Sequence, residues 1–317
     1  MSEEINNWER NVLEKLALSA IQEQRRARRW GIFFKVLTFG YLFIILFLIL
    51  GWIGRGESSL VTGKHTALIE LEGVIASGSQ ANADNLITSL QAAFKDKGTQ
   101  GIILRINSPG GSPVQAGLVN DEIRRLRAMY PKIPLYAVVE DICASGGYYI
   151  AASADKIYVN KASIVGSIGV LMDGFGFTGT MQKLGVERRL MTAGENKGFM
   201  DPFSPRNPTH EAFTKKMLEE IHQQFITVVK EGRGTRLKES PEVFSGLFWS
   251  GQKSIEMGLA DEMGSLGSVA RDVIKAENIV DYTTHEGFAD RLAKKFGAGV
   301  VSAFPGFSGQ ANGVTLH

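Results

Sequence analysis

From Val36 to Ile53 the chain runs eighteen residues without a charge, in a composition dominated by Leu, Ile and Phe. Such a run must satisfy its backbone internally if it sits in lipid, which makes it a helix. With Gly31 to Phe34 added across Lys35, it is long enough to cross a bilayer. A buried core helix is the competing reading, but so uniform an apolar run is rare beside a dense basic flank. Here the flank is Lys15, Arg25, Arg26, Arg28, Arg29 and Lys35, against only Arg55 and Lys64 nearby on the far side. The positive side stays in the cytoplasm, so everything after Gly54 is expected to be exported. A cleavable leader is the rival reading, but its N-region would be unusually long, so an uncleaved anchor is expected. The expected plan is a basic cytoplasmic segment over 1–30, a signal anchor over 31–53 in contact with lipid, and a linker over 54–65. A soluble domain over 66–296 and a flexible Gly/Ser/Ala-rich tail over 297–317 complete it. Within the first segment, Trp8, Val12, Leu16 and Ile21 recur at near-helical spacing over Ile5 to Trp30.

The exported part reads as alternating strands and helices. Apolar runs at Thr66–Leu71, Gly101–Ile106, Leu135–Val139 and Lys156–Val159 have strand character, and Ile164–Leu171 is expected to be another strand. Helical periodicity covers Asn82–Lys97 and a segment to Met129 that starts with Ser112 as N-cap and Pro113 at the first position. Crossover helices between strands give an α/β fold with a parallel sheet, whose functional loops gather at the carboxyl ends of the strands. Thr209–Gly232 is the clearest helix: Phe213, Met217, Ile221, Phe225 and Val229 recur every four residues, a stripe for core or subunit contact. Pro241–Gly264 reads as short helix and turns. A net charge of +2 gives no field for nucleic acid, so no such partner is expected. One cysteine, Cys143, excludes an internal disulfide framework and a Cys-rich metal site.

Two glycine pairs, Gly110-Gly111 and Gly146-Gly147, fall at predicted strand ends on one edge of the sheet. Before the second pair stands Ser145, where a strand gives way to a helix. A hydroxyl at such a turn stands clear of the backbone, and the free N–H groups of the new helix face whatever binds there. This suits a nucleophile beside an oxyanion hole, while two glycines can equally serve only to pack a turn. A serine nucleophile needs a base. None of the five histidines (His65, His210, His222, His285, His317) lies in a predicted strand-end loop, and no G-x-S-x-G elbow surrounds Ser145. A neutral lysine can serve instead, and composition does not single one out.

Asn107-Ser108-Pro109-Gly110-Gly111, Ala144-Ser145-Gly146-Gly147-Tyr148-Tyr149, Gly166-Ser167-Ile168-Gly169 and Gly194-Glu195-Asn196-Lys197, in this order, resemble the signal peptide peptidase A (protease IV) family. These are membrane-anchored serine peptidases of the Clp protease/crotonase superfamily. Val229–Arg233 and Gly258–Asp261 are also similar, and the likeness runs from about Ala67 to Ser268. The resemblance implies a fold of stacked ββα units and the short, single-catalytic-half form. It implies Ser145 as nucleophile, Lys197 as general base and Ser167 as the hydroxyl that orients the lysine. It also implies Gly111 and Gly146 as oxyanion-hole amides, with Gly110 holding the turn. It implies no cofactor and no metal. Further implications are a homo-oligomer, an octameric ring in which the lysine serves the serine of its own copy or of a neighbouring one, and cleaved signal peptides or similar extended apolar peptides as substrates. The location implied is the bacterial inner membrane, with the catalytic domain periplasmic. Phe175, Phe199 and Met200 are the apolar residues expected to line subsites. The competing classes are a crotonase-type acyl-CoA enzyme with a carboxylate base, a non-catalytic membrane scaffold, and Cys143 in place of Ser145 as nucleophile.

Overall fold

The computed structural model describes residues 2–53, 63–238 and 240–284. The expected tail over 297–317 and most of the expected linker, 54–62, lie outside them. The chain divides into two units, one holding the N-terminal helix and one spanning Val61–Glu286. Helix α1, Ser2–Ile53, is unbroken across Trp30 and Gly31, so the basic segment and the apolar run differ in chemistry and not in backbone. At 1.5 Å per residue its 52 residues extend about 78 Å, well beyond a bilayer's apolar core. Its stretch Gln22–Phe47 is long and apolar enough to cross a membrane. Where the arginines give way to the apolar run, Trp30 stacks on Phe34 and Phe33 meets both rings edge-on.

In the second unit, β1 (His65–Glu72), α2 (Ala83–Lys95), β2 (Thr99–Ser108), α3 (Pro113–Met129) and β3 (Leu135–Ala144) alternate as the patterning predicts. Asn82 caps α2 by accepting from the Asn85 N–H at 2.8 Å, and Ser112 caps α3 ahead of Pro113. α4 (Gly146–Ala151), β4 (Lys156–Val159), β5 (Ile164–Gly166), α5 (Thr178–Leu184), α6 (Pro208–Arg233), β6 (Phe248–Ser250), α7 (Gly251–Glu256), β7 (Glu262–Met263), α8 (Leu266–Ser268) and β8 (Ile279–Asp281) follow. The eight-stranded sheet runs β6-β5-β3-β2-β1-β8, with β4 branching from β3 and β7 pairing with β4 beyond it. All pairs are parallel except β5 with β6.

The branch is made by β3 itself. Its first half pairs with β4 through Tyr136–Val138 and its second half with β5 through Ile142–Ala144. Between the halves the register against β2 slips, from Ile106↔Val139 to Ser108↔Cys143, a bulge that turns the strand from one neighbour to the next. β1–β3 are buried on both faces, as parallel strands under crossover helices must be. Leu86, Leu90 and Phe94 of α2 and Val119, Ile123 and Leu126 of α3 belong to the large core cluster. Leu68, Ile103, Val138 and Tyr158 form a smaller one with Val269 and Ala270.

Two expectations change. The strand expected over Ile164–Leu171 stops at Gly166, because Gly166 (φ 117°) and Ser167 (φ 53°) both leave the extended region. The segment expected as helix and turns over Pro241–Gly264 contains edge strand β6, held antiparallel to β5, and β7 as well as helix α7. The stripe on α6 is divided. Phe225 and Val229 are buried, Met217 and Ile221 are half-covered, and Phe213 is exposed.

Candidate active site

β2 and β3 are neighbours, so the turns that follow them emerge side by side at the carboxyl edge of the sheet. They touch at the glycines. A side chain on Gly110 would put its Cβ 2.6 Å from the Gly146 amide nitrogen and 2.7 Å from the Ser145 Cβ, so only glycine permits the approach. Gly110 also sits at φ 98°, in the left-handed region. A Cβ on Gly111 would collide with the Ile75 carbonyl. The Gly111 nitrogen lies 3.3 Å from where a Cβ on Gly146 would be, so the two amides lie close together. Gly146 opens α4 and has no intrahelical acceptor for its N–H. The Gly111 N–H makes no turn or loop bond among the described residues. Two donors left without partners at one point can receive an oxyanion.

Ser145 stands between them with φ 50° and ψ −122°, a conformation that costs a non-glycine residue about 1–3 kcal/mol. It is over-determined from both sides. Its N–H donates to the Gly166 carbonyl at 2.9 Å and its own carbonyl accepts from Tyr149 N–H at 2.9 Å. Strain of this kind, where packing enforces it, points to a functional position. Ser167 occupies the matching place on the next strand. Ala144 pairs with Gly166, so Ser145 and Ser167 are each the first residue past that rung, on strands about 4.8 Å apart. Both have left-handed backbones, and Ser167 is pinned through its N–H to the Leu247 carbonyl at 2.8 Å.

Four of the expected site residues lie elsewhere in the chain, on the stretch 170–207. Lys197 closes a turn, its N–H donating to the Gly194 carbonyl at 3.1 Å. Its side chain is exposed and makes no ion pair among the described residues. Phe199 packs on His210 and Phe213 of α6, and Met200 and Phe175 are exposed. This stretch presents an unusual amount of apolar surface, with Met191 93%, Leu171 80% and Phe175 78% exposed. The structure therefore brings Ser145, Ser167, Gly110, Gly111 and Gly146 together and leaves Lys197 on an uncovered arm.

Cys143 is fully buried on β3, and burial pushes its thiol well above the usual cysteine range, so it offers no thiolate. Folding does carry one histidine near the site. His222 of α6 holds the Ile168 carbonyl through Nε2 at 3.0 Å, next to Ser167. A carbonyl only accepts, so that nitrogen carries a hydrogen and anchors the Ser167 turn. Periodicity placed His222 beside a helix stripe but could not show which strand end the helix crosses. Among the described residues no group of three His, Cys, Asp or Glu side chains is placed to hold a metal ion.

Residues 127–280, which include Ser145, Ser167 and Lys197, match peptidase family S49. The Na(+)/H(+) antiporter NhaA of Brucella melitensis biotype 1 is 42% identical over 209 residues, 64% of this chain and 28% of that protein. Most of that relative lies outside the match, and the chain spans little more than a quarter of its length. An Enterococcus faecium protein that bears the name signal peptide peptidase SppA is 29% identical over 71% of this chain and 67% of its own length. Protease 4 of Haemophilus influenzae is 29% identical over 68% of this chain and 35% of its length. The family match takes in Ser145 and the Gly146-Gly147 turn, and the chain belongs to the signal peptide peptidase A family of S49 peptidases.

Proposed function

We propose that this chain is a membrane-anchored serine endopeptidase that uses a Ser145–Lys197 dyad. Lys197, in its neutral form, takes the proton of the Ser145 hydroxyl as Oγ attacks a peptide carbonyl. The tetrahedral oxyanion is received by the Gly111 and Gly146 amides. Its collapse breaks the C–N bond as the lysine gives its proton to the leaving amine; Lys197, neutral again, then deprotonates the water that attacks the acyl-enzyme and passes that proton to Ser145 Oγ as the ester C–O bond breaks. Ser167 hydrogen-bonds the lysine and Gly110 keeps the two turns in contact. What supports this most is the backbone of Ser145, held left-handed where two glycine turns meet, with the N–H groups of Gly111 and Gly146 making no turn or loop bond among the described residues.

A lysine acts as base only where burial or a neighbouring cation favours its neutral form. The exposed apolar arm around Lys197 supplies a surface that a second copy of the chain would cover. The reading therefore includes a homo-oligomer, an octameric ring, in which the lysine of one copy serves its own serine or a neighbour's. Substrates are extended apolar peptides close to the membrane, cleaved signal peptides first. Phe175, Phe199 and Met200 line their subsites. The arginine-rich end of α1 stays cytoplasmic, and the Val61–Glu286 unit works on the periplasmic side of the bacterial inner membrane.

The test is hydrolysis of an apolar fluorogenic peptide by the full-length protein in detergent. Ser145→Ala and Lys197→Ala should each lower kcat by at least about a thousandfold. A peptide aldehyde should form a hemiacetal with Ser145 Oγ, visible by mass spectrometry. Full activity in either variant would sink the dyad.

A further inference from the structure

The Gly111 amide can stabilise an oxyanion only if its peptide plane is fixed before substrate arrives. One face of that fixing is backbone. The Gly110 carbonyl accepts from Ile75 N–H at 2.9 Å, and Ser112 N–H donates to the Ile75 carbonyl at 2.8 Å. The Gly110–Gly111 peptide is trans, so its N–H points opposite to that carbonyl, away from Ile75. The aim of the amide thus depends on where Ile75 sits and on how the preceding peptide enters Gly110.

Both are set by one side chain. Ser108, the last residue of β2, is fully buried. Its hydroxyl donates to the Gly73 carbonyl at 2.6 Å and accepts from Gly110 N–H at 3.1 Å. Gly73 lies two residues before Ile75, and its own N–H is tied to the Asn107 carbonyl at 3.0 Å. One hydroxyl therefore fastens the segment that carries Ile75 to the turn that carries Gly111, from a fully buried side chain whose bond to Gly110 is buried and whose bond to Gly73 is part-buried. We propose that Ser108 is a positioning residue for the reaction: its Oγ bridges Gly73 and Gly110 so that the Gly111 N–H faces the space in front of Ser145. The inference rests on the reading of Ser145 as nucleophile. It assigns Ser108 no contact with substrate.

Removing the bridge loosens a donor without deleting it. Ser108→Ala should lower kcat about 10- to 100-fold, below the hundred- to thousandfold that follows outright loss of an oxyanion donor, and leave KM within about twofold. Because a hemiacetal oxygen occupies the same place as the oxyanion, the inhibition constant of a peptide aldehyde should weaken by a similar factor. The pH profile should keep its shape, since the base is untouched. Ser108→Thr, which retains the hydroxyl, should recover activity to within about fivefold of the parent, and Ser108→Cys, of similar size but a poor hydrogen-bonding group, should not. These measurements use the full-length protein in detergent, with thermal melting to give the folded fraction. Unchanged kcat in Ser108→Ala overturns the inference, as does a loss that tracks the folded fraction while aldehyde affinity stays at the parent value. If Ser108→Ala does not fold, the other two variants decide, and a fully active Ser108→Cys overturns it. Activity in Ser145→Ala would remove the underlying reading and this inference with it. An inactive Ser145→Ala beside a fully active Ser108→Ala would remove this inference alone.

Discussion

Gly110 shows how narrow the tolerance is at the level of one residue. An alanine there would have to hold φ 98° and find room for a methyl carbon 2.6 Å from the Gly146 nitrogen, against backbone that cannot swing aside. Gly110→Ala should therefore move the two turns apart, with kcat falling at least about a hundredfold, the scale of losing an oxyanion donor, in peptide hydrolysis assays. A nearby residue makes the opposite forecast. Cys143 is two positions before Ser145, yet burial keeps its thiol protonated. Iodoacetamide at neutral pH should leave the folded protein unlabelled and active, and label it only after denaturation. Labelling of the native protein with loss of activity would show that the strand opens at this point.

Among the elements, the joint between α6 and the β7 region carries the strongest electrostatics. Arg233, the last residue of α6, is buried. It donates to both Asp261 oxygens at 2.8 and 2.9 Å and to the Gly258 carbonyl at 2.8 Å. Asp261 also accepts from Ile157 N–H at the start of β4 and from Arg236. Burial alone would raise its carboxyl, but Arg233, the Ile157 N–H and Arg236 together outweigh this and hold it below the ordinary carboxylate range. The sign follows. A depressed carboxyl contributes stability that is complete above the unfolded value of about 3.9 and is lost as pH falls through the lower folded value. Urea midpoints measured down a pH series should thus drop below about pH 4 in the parent, and drop less in Asp261→Asn. That variant should also be less stable at pH 7 by about 3–5 kcal/mol, because Arg233 is left buried and unpaired.

At the scale of the whole molecule, the stretch 170–207 leaves large apolar side chains exposed. Leu171 and Met191 are almost wholly exposed, and Phe213 of α6 stays exposed even with the edge of Phe199 against it. Patches of this kind mark interaction surfaces in soluble domains. Sedimentation of the detergent-solubilised protein should give an oligomer. Leu171→Asp combined with Met191→Asp should give a species of lower mass, with activity falling in step if Lys197 depends on a neighbour for its burial. A monomeric, fully active parent would count against the ring and against any shared dyad.

Much of this was legible in the chain of residues. Local signals fixed the strand and helix sequence through β4, the Ser112 cap with Pro113, and the apolar helix with its basic flank. Each depends on groups a few residues apart. The glycine turns and Ser145 could be placed on one edge because alternation of strand and helix leaves parallel strands little choice. Other features depend on partners far along the chain. Periodicity does not carry the fork of β3, the early end of β5 at Ser167, strand β6 within an apparently helical stretch, or the reach of His222 to Ile168. These arise from long-range pairing and from backbone angles that packing imposes on non-glycine residues. Contact between Gly110 and Ser145 is of the same kind. Sequence supplied the residues small enough to meet there, and only the folded sheet, by setting β2 beside β3, brought them within van der Waals reach.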